Sequence, residues 1–200
     1  MEFEINEINI DHEFERLSKL LLLEKVLVVN NEKIRFTEIE FYYYSKNHDD
    51  AFTHEHGCDA GKWRFHNQGF DITLKGESGF GGILIRGIEI GGKYFNGPRR
   101  VLFEIMSHLN PVNQTDNKFG LVNNEIKLDL PIFRTFRHGL NTPNSDLTCK
   151  NPAYFINANY RFLVDPQKFD KKQFSGAEKI AVGFKNSEQS FKFLGYNLKS

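Results

Sequence analysis

Residues 25–57, KVLVVNNEKIRFTEIEFYYYSKNHDDAFTHEHG, decide how this chain folds. Lys25 to Val29 is a β-branched run, Asn30-Asn31 is a turn signal, and Lys33 to Tyr44 alternates Ile34, Phe36 and later apolar positions with polar ones. That pattern predicts an antiparallel hairpin with a long second strand. The far end of that strand carries Glu38, Glu40 and the aromatic run Phe41, Tyr42, Tyr43 and Tyr44, followed by His48, His54 and His56. Alternation turns Glu40, Tyr42 and Tyr44 to one face.

Upstream, Phe14, Leu17, Leu20 and Leu21 recur at three-and-four spacing, which predicts an amphipathic helix from Asp11 to about Leu22. Asp11 is its expected cap, with Glu13 and Glu15 complementing the dipole in the first turn. Downstream come short segments punctuated by glycine, GKWRFHNQ, FDITLKG and GGILIRGIEIGG, in which Ile83, Ile85 and Ile88 mark a buried strand. Connections this short leave no room for crossover helices, so the sheet is expected to be antiparallel.

Gly97-Pro98 opens a second predicted helix, Arg99 to about Leu109, with Pro98 at the first helical position and Val101, Leu102, Ile105 and Leu109 on its apolar face. Asn110 to Asn117 reads as loop, Glu125 to Phe136 as strand broken by Pro131, and Ala153 to Val164 as strand. His138 to Pro152 is the longest aperiodic segment, a length that in compact domains is often functional or mobile. The expectation is one α+β domain over residues 1–200: a curved, mainly antiparallel, open barrel-like sheet with a few peripheral helices.

Composition narrows the class. A 40% hydrophobic share with 20 Phe and 7 Tyr describes a folded core that leans on rings. No apolar run approaches a membrane span, and the acidic start lacks a signal-peptide layout. With only Cys58 and Cys149 there is no disulfide framework, so a cytoplasmic monomer is expected. Formal net charge is zero, with 17 acidic against 13 Lys+Arg in residues 1–100 and 9 against 13 in residues 101–200. Neutrality weighs against tight binding through phosphate contacts alone.

The chemistry-bearing residues each have two readings. Glu40 has the chemistry of a general base, or Glu38 and Glu40 line the solvent face of a strand. The tyrosines offer stacking faces to a base, or pack into the core. His54, His56, Cys58 and His66 are zinc-ligand types, but their spacing matches no common zinc site, so neither a metal nor a cofactor is expected. Arg99 and Arg100, at a helix N-terminus, suit a phosphate, or snorkel over apolar surface. Lys168, Lys171, Lys172 and Lys179 make a basic tail that reads as a solvated face or a phosphate track.

In order along the chain, the N-terminal helix, the Glu-Ile-Glu-Phe-Tyr strand, Asp-Asp-Ala-Phe-Thr-His, and GILIRGIE before NGPRR resemble the alkyladenine (3-methyladenine) DNA glycosylase family. The resemblance spans about residues 14–106, with a fainter echo in the later RFLV. It implies a hydrolase of the base–sugar bond of damaged purines, acting in DNA repair. By position it makes Glu40 the water-activating carboxylate, Arg86 its electrostatic partner, Tyr42 the stacking ring and His54 a contact to the base. Beside these, Tyr44, on the same strand face, and Thr73 complete the candidate substrate-binding set, and Arg99 and Arg100, at the helix N-terminus, are the candidate contacts to a nucleic-acid backbone. The chain departs from the family after Phe70. FDITLKGESGFGG puts Thr73 where a stacking ring belongs and omits the intercalating hairpin and the Met-Asn pair that follows it. A flipping enzyme needs a group to fill the vacated stack. The alternative is a noncatalytic nucleotide- or nucleic-acid-binding module that kept the fold and lost the wedge.

Overall fold

The computed structural model describes residues 2–140 and 142–169. Helix α1 (Ile10–Lys19) runs into a π-helical turn (Leu20–Glu24) and then the predicted hairpin, β1 (Lys25–Val29) and β2 (Glu32–Ser45). There follow β3 (His48–Asp49), β4 (Trp63–His66), β5 (Gly69–Lys75), β6 (Phe80–Ile90), β7 (Lys93–Asn96) and α2 (Pro98–Ser107). Strands β8 (Phe119–Asn123) and β9 (Phe133–Thr135), helix α3 (Pro152–Asn157) and β10 (Arg161–Leu163) complete the fold, with a short 3-10 turn at Pro166–Lys168.

All strand ladders are antiparallel, in the order β4-β5-β6-β2-β1-β8, a curled half-barrel. Its two outer strands approach each other through aromatic rings, with Trp63 and Phe65 of β4 at 5.1 and 5.9 Å from Phe119 of β8. The fourteen-residue β2 is the spine: β6 follows one edge, while β1 holds the first part of the other and β10 a later part, opposite Glu38 to Glu40. Buried apolar side chains form one cluster, in which Phe14 of α1 stacks on Phe41 at 4.4 Å. No helix among the described residues is long and apolar enough to cross a membrane.

Several expected boundaries shift for local reasons. The cap of α1 is Asn9, whose side chain accepts from the His12 N–H, and Asp11 stands in the first turn instead. Residues 125–132 form no strand, which is confined to β9, and β8 arises in a stretch with no predicted element. The expected strand from Ala153 to Val164 is a helix followed by a strand. Asn151 caps α3 by accepting from the Tyr154 N–H, and Pro152 takes the first helical position, so local capping chemistry overrides strand-like composition. Of the basic tail, Lys171, Lys172 and Lys179 lie outside the described residues; Lys168 sits 3.8 Å from the Asp165 carboxylate.

One irregularity sets up the site. Between Phe36 and Ile39 the register against β6 shifts twice. Thr37 of β2 and Arg86 of β6 each drop out of the register, and so the strand exchanges faces: Ile34 and Phe36 point into the core before the bulge, and Ile39, Phe41 and Tyr43 after it. Without the bulge, Glu38 and Glu40 would continue the apolar row of Ile34 and Phe36. Opposite, β6 switches in the same place, from Ile83 and Ile85 to Ile88 and Ile90. The strands pass so closely here that a Cβ on Gly87 would stand 2.7 Å from the Glu38 Cβ.

Candidate functional site

The face of the half-barrel away from Ile39 and Phe41 carries Glu38, Glu40 and Tyr42 on β2, Gly82, Leu84 and Arg86 on β6, and Asp71 on β5. Neither glutamate reaches solvent, being 1% and 0% exposed, so the solvent-face reading is overturned. Arg86 bridges them, donating from Nε to Glu38 Oε1 at 3.0 Å and from Nη1 to Glu40 Oε2 at 3.3 Å. Arg161 of β10 enters from the other side, 2.7 Å from Glu38 Oε1 and 3.9 Å from Glu40 Oε1. Two carboxylates thus face two guanidiniums, the condition under which buried charges are tolerated.

The remaining donors are neutral. The Asn96 amide donates to Glu38 Oε2 at 3.3 Å, the Tyr42 hydroxyl to Glu40 Oε2 at 2.8 Å, and the His138 backbone N–H to Glu40 Oε1 at 3.0 Å. Burial by itself would raise the Glu38 carboxyl, but Arg161 and Arg86, with the Arg86 and Asn96 hydrogen bonds, hold it below the ordinary carboxylate value. Burial and the Glu40 carboxylate push the Tyr42 phenol well up, so Tyr42 stays a donor. Burial works against the Arg86 charge, and Glu40 and Glu38 outweigh it, so Arg86 remains a cation. His138 is lowered by burial and by Arg86 and Arg161, which favours a neutral ring.

Above this cluster opens a pocket of about 470 Å³, in the range of small-molecule sites. Of the residues singled out from sequence, Tyr42, His54 and Arg86 line it, and Glu40 lies directly beneath, bonded to two of them. Tyr44 and Thr73 do not line it. Tyr44 shares the face of Tyr42 but stacks on Phe80 at 5.6 Å and donates to the Thr148 carbonyl. Thr73 is sealed under the loop before β4, donating to the Asp59 carbonyl at 2.6 Å and accepting from the Lys62 N–H at 2.8 Å. Arg99 braces the rim through Asn67 and Gln68, both pocket residues, whereas Arg100 lies over the Phe95 ring at 5.3 Å.

The zinc alternative finds no geometric support: His56 Nε2 bonds the Gly81 carbonyl, His66 Nε2 bonds Asp71, and no three His, Cys, Asp or Glu side chains group as a metal site among the described residues. Several residues of the site carried no sequence signal strong enough to single them out. Arg137, in the segment after β9, is fully buried and binds both oxygens of Asp50, at 2.6 and 3.1 Å. Its guanidinium packs against the Tyr42 ring, 4.7 Å from the centroid, and so fixes the floor of the pocket. Beyond it the long loop brings His138, Gly139, Leu140 and Thr142 to the pocket wall. A lone arginine within an apolar strand was the available sign for Arg161.

Comparison with protein-family models, with curated proteins and with solved structures returns no match. The functional reading therefore rests on the pocket and on the residue order that resembles the alkyladenine glycosylases.

Proposed function

We propose that this protein is an N-glycosidase that hydrolyses the base–sugar bond of a purine held in the Tyr42 pocket. The observation that carries the proposal is the convergence on one carboxylate oxygen: Tyr42 and Arg86, both pocket-lining, bond the same Glu40 Oε2. A purine stacks on Tyr42 with His54 at its edge. Glu40 takes a proton from water as the oxygen attacks the anomeric carbon, the C–N bond breaks, and its electron pair leaves with the base. Arg86 holds the Glu40 carboxylate in place through its Nη1 contact to Oε2. For water to reach Glu40, the His138 N–H must move off Oε1, so the loop after Arg137 opens during turnover. The unpaired Cys58 and Cys149 go with a cytoplasmic setting.

The test is base release by purified protein from alkylated or deaminated DNA, from RNA and from free nucleosides. Glu40→Gln should lower it about 100-fold or more, as expected for a lost general base. Absence of release from all of these, unchanged by Glu40→Gln, ends the enzyme reading. A second reading, a noncatalytic nucleotide- or nucleic-acid-binding module, is favoured by one observation: Glu40 is 0% exposed, with both oxygens already bonded. It is distinguished by ligand affinity without turnover.

A further inference from the structure

The wall of the pocket across the sheet from Glu40 is polar in an ordered way that the glycosidase reading does not use. Asp71 of β5 pairs in register with Leu84 of β6, which pairs with Glu40, so the two carboxylates lie in one cross-strand row. Asp71 lines the pocket and is 8% exposed. Arg64 donates from Nη1 to Asp71 Oδ2 at 3.2 Å, and His66 Nε2 bonds Oδ1, also at 3.2 Å. The Gln68 backbone N–H points at His66 Nδ1, so that nitrogen accepts and the ring proton sits on Nε2, donating to Asp71. Both flanking side chains therefore fix the carboxylate, and each oxygen keeps a lone pair for a ligand. Gly82, also in the pocket lining, keeps the approach open: a Cβ there would stand 3.2 to 3.4 Å from the Asp71 side chain.

Read across the wall, Arg64, Oδ2 and Oδ1 present a donor, an acceptor and an acceptor. The complementary edge is an acceptor followed by two donors. Among purines, a 6-oxo group, N1–H and a 2-amino group supply it. Resting on the base-pocket reading above, we infer that Asp71, held by Arg64 and His66, reads the N1–H and 2-amino edge of a guanine-type base. Hypoxanthine offers one of the two donors, and adenine offers an acceptor at N1 that faces the carboxylate unfavourably. Discrimination follows because a polar wall built for a hydrogen-bonding partner is left unpaired by an analogue lacking it.

The test is calorimetric binding of guanosine, inosine and adenosine to the full chain, with base release followed in the same samples. Affinity should fall in that order, with guanosine at least about tenfold tighter than adenosine, the scale of a good bidentate base contact. Asp71→Asn, nearly isosteric and checked for an unchanged melting temperature, should remove the guanosine preference by weakening guanosine while leaving adenosine affinity no weaker than before. Arg64→Lys, which keeps the charge beside Asp71, should retain part of the preference and guards against a folding artefact in the first variant. Equal affinity for guanosine and adenosine, with Asp71→Asn neutral, overturns the Asp71 assignment while leaving a base pocket. No binding of any nucleoside overturns the pocket reading and this inference with it.

Discussion

The two buried carboxylates of β2 stand two residues apart and are equally hidden, yet their partners differ. Glu38 has a guanidinium on each side, 2.7 and 3.0 Å away, and an amide from Asn96. Glu40 has Arg86 at 3.3 Å and Arg161 at 3.9 Å, while its closer donors are a phenol that lines the pocket and a backbone N–H from a long loop. The deep half of the cluster is closed by charge. The pocket half is closed by neutral groups, one of them on a segment with no regular structure. A carboxylate meant only to neutralise an arginine resembles Glu38. One whose coordination changes when a loop moves or a ligand enters resembles Glu40.

The strongest way to break this comparison is through Arg161. Arg161→Met removes the closest cation from Glu38 and leaves a buried charge under-compensated. The expected cost is about 3–5 kcal/mol of stability, read from the denaturant midpoint. A cost below about 1 kcal/mol, the scale of a solvated surface pair, would mean that the deep half is not electrostatically closed.

A smaller effect tests the deep half by pH. His48 is lowered by burial, its Nδ1–H donating to the Tyr43 carbonyl. The unfolded chain therefore takes up the second imidazole proton first, and stability declines as pH falls below about 6.5, the ordinary histidine value. Glu38 is held below its ordinary value, so its contribution is complete above about pH 4.5 and is lost as pH falls through its folded value. Melting temperature should thus fall in two stages. Glu38→Gln should shrink the acid stage, to which Glu7 also contributes, and leave the histidine stage in place; an unchanged acid stage would show that Glu38 is not held down by its arginines.

Much of the architecture was legible because it depends on local periodicity. The hairpin of β1 and β2 follows from a β-branched run, an Asn-Asn turn in which Asn30 takes a φ of 54°, and alternation on either side of the bulge. The bulge was not read from the chain, although its apolar positions change parity from Ile34 and Phe36 to Ile39, Phe41 and Tyr43. The site was legible along β2 and β6 and at His54. Arg137, Arg161 and Asp71 meet it through pairing of distant segments; the lone arginine of RFLV hinted at Arg161, but nothing in the stretches of Arg137 and Asp71 marks that convergence. Thr73 was misplaced for a related reason: alternation gives the correct face of β5, but the loop that covers that face comes from residues 59–62. Likewise α3 was hidden behind an aromatic, strand-like composition, although Asn151-Pro152 carried its start signal.

The smallest expected effect tests the pocket half directly. Tyr42→Phe removes one hydroxyl from Glu40 and leaves the ring, its contact with the Arg137 guanidinium and the Arg86 bond in place. Losing one hydrogen bond to a carboxylate should cost about 1–2 kcal/mol in the denaturant midpoint, less than Arg161→Met. Stacking should survive, so nucleoside affinity should change little. In the proposed hydrolysis the rate of base release should fall further than affinity does, because the phenol helps to orient the carboxylate that takes the proton from the attacking water. Equal destabilisation by Tyr42→Phe and Arg161→Met would erase the distinction between the halves and make Glu40 a second structural charge. A fall in rate with affinity preserved would separate Glu40 from Glu38 by function, on the same face of the same strand.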